Sequence, residues 1–583
     1  MKTKVLMIYP EIPSTYWSLD HAIAFMGSKS VMPPLGLLTV ASMLPDSFEV
    51  KLVDMNVGPL ADGDIESADL IFISAMIVQK NSFAEVVKRC REFGKPIVAG
   101  GPYPTSSHEK IEGVDHFVLN EGEITLPLFL ADYEKGCARP VYASSEKPDI
   151  AKTPAPRLDL IDVNAYTCMA VQYSRGCPFN CEFCDIIEMY GRRPRTKTPE
   201  QFLSELDAVY ATGFRGSVFV VDDNFIGNKR EVKRLLPAII GWIKEHRYPF
   251  SFFTEASINL ADDEELMELM VEANFSMVFI GIETPVEKSL VLSNKSQNMK
   301  SDLHESILRI QRKGIEVQAG FIVGFDTDPD DVFDRQIDFI QKSGIPTAMI
   351  GILTVLPNTQ LHRRIEREGR LIAEANGNNC DIEINFKTNI PKNRLIEGYK
   401  RVLSEIYDAK NYFYRCIELI RRMPKKIRQR TPFELRHIRA FFLSLAKQIF
   451  SPYGHRYIAY LFKTLYFNFR RFPHAINLAI KEYHFYKITE HLLAAHDFSS
   501  HLETTLSTLN SMLAQTVREI PEITREVIEK FGRRCILRIR KRYARLNRTV
   551  QKYMKDKLHD FEKRYEVLIN RWCDNDIVKQ EFS

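Results

Sequence analysis

Arg175-Gly176-Cys177-Pro178-Phe179-Asn180-Cys181-Glu182-Phe183-Cys184 places three cysteines within eight residues, in the spacing C-x3-C-x2-C. The apolar run before it, Cys168–Ser174, reads as a β-strand, so the cysteines fall on the loop at a strand's carboxyl end. Three thiolates this close can wrap one metal centre. Zinc wants a fourth ligand, commonly from a second Cys or His pair, and no second pair has that spacing here. A cubane iron–sulfur cluster needs one ligand for each of its irons, so three cysteines leave one iron open to a substrate or cofactor. Cys168 is a further thiol, but it sits at the far, amino-terminal end of the preceding strand.

Moving outward, strand-like runs recur at Ser217–Val221, Ser251–Thr254, Met277–Ile282, Val317–Val323 and Ala348–Leu353. Helical periodicity fills the gaps, as in Thr198–Thr212, Lys229–His246, Asp263–Ala273 and Lys300–Lys313. Six βα repeats without hairpin turns predict a partial (β/α)6 barrel of the TIM type over residues 166–390, with its site at the strand carboxyl ends. Residues 1–135 alternate in the same way, with strands at Val5–Tyr9, Val50–Asp54, Leu70–Ala75, Ile97–Ala99 and His116–Leu119. They predict a doubly wound, Rossmann-like parallel sheet, which binds ligands at its carboxyl edge. Residues 136–165, with Pro140, Pro148, Pro154 and Pro156, read as a linker. From 391 to 583 strand signals vanish and an all-α, basic region follows. Its expected helices are Leu395–Tyr414, Pro432–Phe450, Tyr457–Phe472, Ala475–Ala495, Leu502–Val517 and Pro521–Trp572. The fold class is therefore α/β with a helical carboxyl-terminal region.

Composition excludes the unusual classes. Of 583 residues, 45% are apolar and 26% charged, which is globular usage and not that of a disordered or collagen-like chain. The net charge of +4 conceals an asymmetry: residues 387–583 hold about 40 Lys and Arg against about 20 Asp and Glu. Ten cysteines make no disulfide framework. No apolar run reaches the roughly 18 residues of a spanning helix, and the amino terminus reads as a strand rather than a signal segment, so a cytoplasmic protein is expected. The basic helices interleave aromatics, as in Phe467, Phe469, Arg470, Arg471 and Phe472 and in the run Pro424–Arg430 before Phe441–Phe450. An aromatic core with a solvated basic rim is the leading reading. Peripheral contact with the inner face of the membrane comes second, and nucleic acid is the least favoured partner.

C-x3-C-x-Φ-C, with Phe183 before the last cysteine, resembles the signature of the radical S-adenosylmethionine (SAM) superfamily. The resemblance implies a [4Fe-4S] cluster on Cys177, Cys181 and Cys184, whose open iron binds SAM and cleaves it to a 5′-deoxyadenosyl radical. Further positions match. Asp222-Asp223-Asn224 follows the second barrel strand, near where the family places the SAM amino group. Adjacent carboxylates at a strand end serve no packing need, so Asp222 and Asp223 are expected to be functional. Glu255 ends the third strand at a ribose position. Gly281-Ile282-Glu283 ends the fourth, where Glu283 either touches SAM or holds the barrel together. Gly320–Phe325, with Gly324, resembles the family's stretch beside the adenine.

The amino-terminal domain resembles cobalamin-binding domains. Ser74-Ala75-Met76 and the pair Gly100-Gly101 match their strand-end elements, and Pro34-Leu35-Gly36 is typical of cobalamin-dependent radical SAM proteins. The loop Pro10–Leu19 lacks the D-x-H-x-x-G whose histidine ligates cobalt. His21 is out of pattern and reads as a packing residue, so cobalamin without a protein histidine on cobalt is implied. The continuation through Asn385-Phe386 and Leu395–Tyr414 resembles the subgroup with a helical domain of unknown function, which includes hopanoid C-2 methylases.

The resemblance implies a methyltransferase acting on an unactivated carbon through the deoxyadenosyl radical and methylcobalamin. Cyclisation or rearrangement shares every motif, and a non-catalytic cluster and cobalamin sensor or scaffold is a third reading. Methylthiotransfer is disfavoured, because the amino-terminal domain holds only Cys90 and Cys137 and cannot build a second three-cysteine cluster. A small-molecule or lipid substrate and an electron donor such as flavodoxin or ferredoxin are the implied partners.

Overall fold

The Val- and Ile-rich runs on either side of the cysteines form two parallel sheets in the computed structural model, which describes residues 2–378, 381–425, 430, 435–519 and 525–573. The first sheet comprises β1 (Thr3–Tyr9), β2 (Phe48–Asp54), β3 (Leu70–Ser74), β4 (Ile97–Gly100), β5 (His116–Val118) and β6 (Val141–Tyr142). Its order is β2-β1-β3-β4-β5-β6, every pair parallel. The order reverses between β1 and β3, and open α/β sheets bind their ligands at such a switch point. Here the loops after the two strands are tied together: Gln79 donates Nε2 to the Pro10 carbonyl at 2.6 Å. Helices cover both faces, burying Leu6, Ile8, Ile71 and Val86 on one side and Val5, Met7, Leu37 and Phe129 on the other.

The second sheet begins with β7 (Cys168–Val171). A short antiparallel pair, β8 (Ser174–Arg175) and β9 (Arg195–Thr196), brackets the cysteine loop. Then come β10 (Gly216–Val220), β11 (Phe250–Glu255), β12 (Phe275–Glu283), β13 (Glu316–Val323) and β14 (Ala348–Ile352). The order β14-β13-β12-β11-β10-β7 is that of a six-stranded partial barrel with β7 and β14 as its edges.

The helices between Lys392 and Phe485 dock on the β14 side through buried polar groups. Arg415, fully buried, donates to the carbonyls of Ile345 and Ile406 at 2.7 Å each, and Tyr407 donates to that of Ala348 at 2.6 Å. Glu316 is buried between Lys481 (2.9 Å) and His474 (2.7 Å), which pull its pKa down against the desolvation that would raise it. The chain divides into two compact units, Met1–Phe485 and Tyr486–Ser583. In the second, the helices Arg525–Ala544 and Arg548–Cys573 build a core with Leu502, Leu509, Met554, Phe561 and Trp572.

Several boundaries differ from expectation. The proline-rich stretch 136–165 contributes β6 to the first sheet, a strand too short for a periodic signal. Cys168–Ser174 is not one strand: it leaves the sheet after Val171 and re-pairs at β8. Leu395–Tyr414 is two helices, Lys392–Ile406 and Ala409–Arg422, because Asp408 caps the second by accepting from the Lys410 and Asn411 amides. Ala475–Ala495 and Leu502–Val517 are parts of one helix, Phe472–Glu519. Polar residues such as Ser499 and Ser500 do not break it, and it contains no Gly and no Pro beyond its first turn. Lys426–Gln429, and the expected helix starts at Pro432 and Pro521, lie outside the described residues.

Candidate functional site

The cysteine loop is held at its root by Asp222. Its carboxylate accepts from the amides of Tyr173 and Ser174 at 2.7 Å each and from the Ser174 hydroxyl at 2.6 Å. Burial pushes its pKa up to about 7 against those donors. The expectation that Asp222 faces a cofactor is therefore corrected: both of its oxygens serve the backbone between β7 and β8, and it is a positioning residue. A second clamp comes from the amino-terminal domain. Glu121 pairs with Arg175 (2.9 Å) and Arg195 (2.8 Å), and Glu123 with Arg175 (2.8 Å). The two sheets thus share the antiparallel pair that flanks the cysteines.

Two amides reach the thiols, Asn224 Nδ2 at 3.7 Å from Cys177 Sγ and Gln297 Nε2 at 3.6 Å from Cys181 Sγ. Burial pushes the Cys177 and Cys184 thiols up, and a metal centre binding here displaces those protons. Among the described residues no three His, Cys, Asp or Glu side chains converge on a single-ion position. The thiols of Cys177, Cys181 and Cys184 all lie on the one loop between β8 and β9. Cys168 is not among them: it donates to the Val31 carbonyl at 3.3 Å, and burial pushes it up to about 12.

Behind the thiols lies a buried ion pair, Lys295 Nζ to Glu283 Oε1 at 2.6 Å. Burial lowers the lysine's pKa, but Glu283, Cys181 and Cys184 outweigh it and raise the pKa overall. The pair needs Gly281, since a Cβ there would collide with Glu283 Oε1 and lie 2.8 Å from Lys295 Nζ. The same shell holds acceptors without donors. Asp223 Oδ2, Gln297 Oε1 and Asn298 Oδ1 are buried and unpartnered among the described residues. Buried polar atoms are rarely left so, and a concentration of acceptors suits an N–H-bearing cation. The α-ammonium of SAM is such a group. Phe183 packs against Phe325 at 6.2 Å, and Asp328 accepts from the Gly324 and Phe325 amides at 2.8 and 3.0 Å, fixing that stretch beside the cluster loop.

Burial, with Asp223 and Glu283 nearby, raises Glu255 to about 8 from an ordinary 4.5, while Lys295 opposes the shift. The folded chain therefore holds that proton more tightly than the unfolded chain does. Its contribution to stability is complete below about pH 4.5 and is lost as the pH rises through about 8. Glu255→Gln is expected to gain on the wild type by a few kcal/mol between pH 5 and pH 8 in urea titrations of the cofactor-free protein. A difference that does not change with pH would refute this.

On the first sheet, Ser74, Ala75, Gly100 and Gly101 form a second group. Gly101 has φ +89°, and the Ser74 hydroxyl fills the space a Cβ would need. Tyr103 N–H donates to the Ala75 carbonyl at 2.9 Å, and Met76, beside them, is largely exposed. A cavity of about 450 Å³ opens here between the first sheet and the chain after β14, lined by Ile77, Tyr103, Thr105, Val355, His362 and Ala375 among others. The glycine pair meets a packing need, since the Ser74 hydroxyl takes the space at Gly101 and the Val118 carbonyl that at Gly100, and the neighbouring cleft is where a large cofactor such as cobalamin would lie. Gly101→Val is expected to cost about 1–3 kcal/mol by overpacking and to cut cobalamin retained after gel filtration on the order of tenfold or more. Retention at the wild-type level would refute it. Pro34-Leu35-Gly36 lies on a different element, the start of the helix Leu35–Ser42, where Gly36 is exposed. His21 packs, its ring 5.7 Å from that of His484.

The inner face of the barrel sheet is aromatic. Phe219 and Phe253 stack in parallel at 4.6 Å, and Trp17, from the loop after β1, meets Phe279 edge-on at 4.8 Å. All four are incompletely buried. Sequence reading missed Trp17, Glu121, Glu123, Lys295 and Gln297. None lies at a barrel strand end, and only the run Asn294-Lys295-Ser296-Gln297 offers a signal, as a polar turn following the helix Glu287–Leu292.

Comparison with known proteins gives a consistent picture. Residues 24–130 match the B12 binding domain family, 171–340 the radical SAM superfamily, and 359–497 a domain of unknown function, DUF4070. An uncharacterized methyltransferase of Synechocystis is 47% identical over 419 residues, 71% of this chain and 78% of the relative. The hopanoid C-2 methylase of Rhodopseudomonas palustris is 35% identical over 410 residues, 69% of this chain and 77% of the relative. Among solved structures, the cobalamin-dependent SAM radical enzyme OxsB, with aqua-cobalamin and SAM bound, is similar with TM-score 0.53 at 18% identity, covering 84% of this chain and 80% of that one. The methyltransferase TsrM from Kitasatospora setae, with cobalamin and a [4Fe-4S] cluster, gives TM-score 0.52 at 13% identity, over 83% of this chain and 99% of that one.

Proposed function

The chain belongs to the cobalamin-dependent radical SAM methyltransferases, and on that premise we propose that its methyl acceptor is an unactivated ring carbon of a polycyclic lipid of the hopanoid kind. The cofactors are a [4Fe-4S] cluster, SAM and cobalamin. When bound, they supply a hydrogen-abstracting radical and a transferable methyl group. The cyclisation, rearrangement and sensor readings are not favoured by these relatives.

The chain's own residues divide the remaining work. Cys177, Cys181 and Cys184 hold the cluster, with Asp222 fixing the root of their loop and Asn224 and Gln297 donating to their sulfurs. Asp223 and Gln297 offer acceptors to the SAM ammonium, and Glu255, Gly281 and Gly324 line its neighbourhood. Ser74, Ala75, Met76, Gly100 and Gly101 leave cobalamin its passage on the facing sheet. Lys295, held by Glu283, keeps a positive charge beside the thiolates.

The observation that carries the acceptor assignment is the half-open aromatic wall of Phe219, Phe253, Phe279 and Trp17 on the barrel's inner face. A flat, rigid hydrocarbon gains from such surfaces without needing polar partners. The 35% identity to a hopanoid C-2 methylase supports the same class. An electron donor of the flavodoxin or ferredoxin class completes the system, and peripheral contact with the inner face of the membrane suits an acceptor of this solubility. The test supplies the reconstituted enzyme with SAM carrying a deuterated methyl group and a pentacyclic triterpene. Label on a ring carbon is expected. Label only on polar, water-soluble acceptors from a cell extract would overturn the assignment.

A further inference from the structure

Between Glu434 and Glu482 the sequence contains no Asp or Glu, yet it carries eight Lys and Arg. Two packed helices occupy most of this interval, Leu435–Ile449 and Gly454–Asn468. Their mutual seam is polar and aromatic, with Ser444 and Tyr457 hydroxyls 2.9 Å apart, and the second helix stacks Tyr460 on Phe413 at 4.6 Å. The residues that build these contacts are buried. The opposite faces are not polar, as a solvated face would be.

On the first helix Leu435, Ile438, Phe442 and Ile449 recur at helical spacing and are exposed, and Phe450 follows at 88% exposure. On the second, Ile458, Phe462, Leu465 and Tyr466, with Phe469 just beyond, repeat the pattern. Tyr466 is 85% exposed, Phe462 69% and Phe469 67%. Large aromatics so exposed, in two neighbouring stripes, mark an interaction surface rather than ordinary surface scatter. Lys463 and Arg470, both exposed, adjoin Phe462 and Phe469 directly. Arg439 and Lys447 are exposed on the first helix.

We propose that this face docks on an anionic lipid bilayer, with Phe450, Phe462, Tyr466 and Phe469 entering the headgroup region and Lys463 and Arg470 on lipid phosphates. The absence of any acidic side chain across the interval selects a negatively charged partner. The exposed aliphatic and aromatic groups select one with an apolar interior. Interfacial helices combine these two features. The inference is independent of which molecule is methylated.

The test is flotation of the full-length protein with phosphatidylcholine vesicles, with and without phosphatidylglycerol. Binding is expected to the anionic vesicles, and F462E/Y466E is expected to abolish it while leaving iron content and thermal unfolding unchanged. K463Q/R470Q is expected to weaken it about thirtyfold, since each basic residue near an anionic surface contributes about 1 kcal/mol. No flotation by the wild type, or equal flotation by F462E/Y466E, would overturn the proposal. So would light scattering that shows a dimer dissociated by F462E/Y466E, which would make a second copy the occupant. Binding of an RNA oligonucleotide in preference to vesicles would likewise replace lipid with nucleic acid.

Discussion

Replacing Cys181 by alanine is expected to reduce reductive cleavage of SAM to background. The residue is buried, accepts from Gln297, and sits with Lys295 behind it. With Cys177 and Cys184 alone, two irons of a cubane would lack protein ligands, and the thiolate charge that balances the core would fall by a third. Iron content and the thiolate-to-iron absorption of the anaerobically reconstituted protein should drop together with 5′-deoxyadenosine. Cys168→Ala is the matched control. Cys168 is also buried beside the barrel, but its sulfur is committed to the Val31 carbonyl at the wrong end of β7, so its loss should leave iron and deoxyadenosine intact. Equal damage from both changes would mean that the cysteines serve the fold rather than a cluster.

The second large effect is expected at Asp222, and it falls first on stability. Asp222→Ala leaves the buried amides of Tyr173 and Ser174 and the Ser174 hydroxyl without an acceptor. At about 1–3 kcal/mol for each unsatisfied group, partly relieved by relaxation, the loss should be about 3–5 kcal/mol in chemical denaturation. Asp222→Asn keeps one carbonyl acceptor but turns an amide nitrogen toward a donor, so an intermediate loss is expected. Iron uptake should fall in the same order, because the turn from β7 to β8 aims the cysteine loop. Asp223→Asn separates the two roles. Its Oδ2 is buried without a partner among the described residues, so the change is expected to weaken SAM binding while sparing stability. Loss of SAM binding in Asp222→Asn without loss of stability would contradict the assignment.

Asp222 also shows where sequence reading reaches its limit. Two carboxylates at a strand end suggest a site, but Asp222 is spent on the Tyr173 and Ser174 backbone. Which of them faces the cofactor depends on the exit of the neighbouring strand after Val171, and local sequence does not encode that. The parallel sheets were legible because buried strands read as unbroken apolar runs of β-branched residues, and the cysteine spacing is short-range chemistry. The long-range partners were not. Glu121 and Glu123 precede and open an unremarkable helix, and only folding brings them to Arg175 and Arg195. Lys295 lies in a turn and gains its meaning from Glu283, twelve residues earlier, whose positive φ of 64° turns its carboxylate toward the lysine. The expected helices Ala475–Ala495 and Leu502–Val517 are one helix, Phe472–Glu519, because no Gly or Pro in its interior enforces a break.

One chain couples radical formation at the cysteine loop to methyl transfer by cobalamin. The most direct measurement is a single anaerobic assay of the holoenzyme with reductant, a pentacyclic triterpene and SAM bearing a deuterated methyl group, run with and without cobalamin. The account predicts 5′-deoxyadenosine, S-adenosylhomocysteine and labelled product in equal amounts, with the last two lost when cobalamin is withheld. Labelled product formed in full without cobalamin, or a deuterium-free product formed alongside deoxyadenosine, would contradict it.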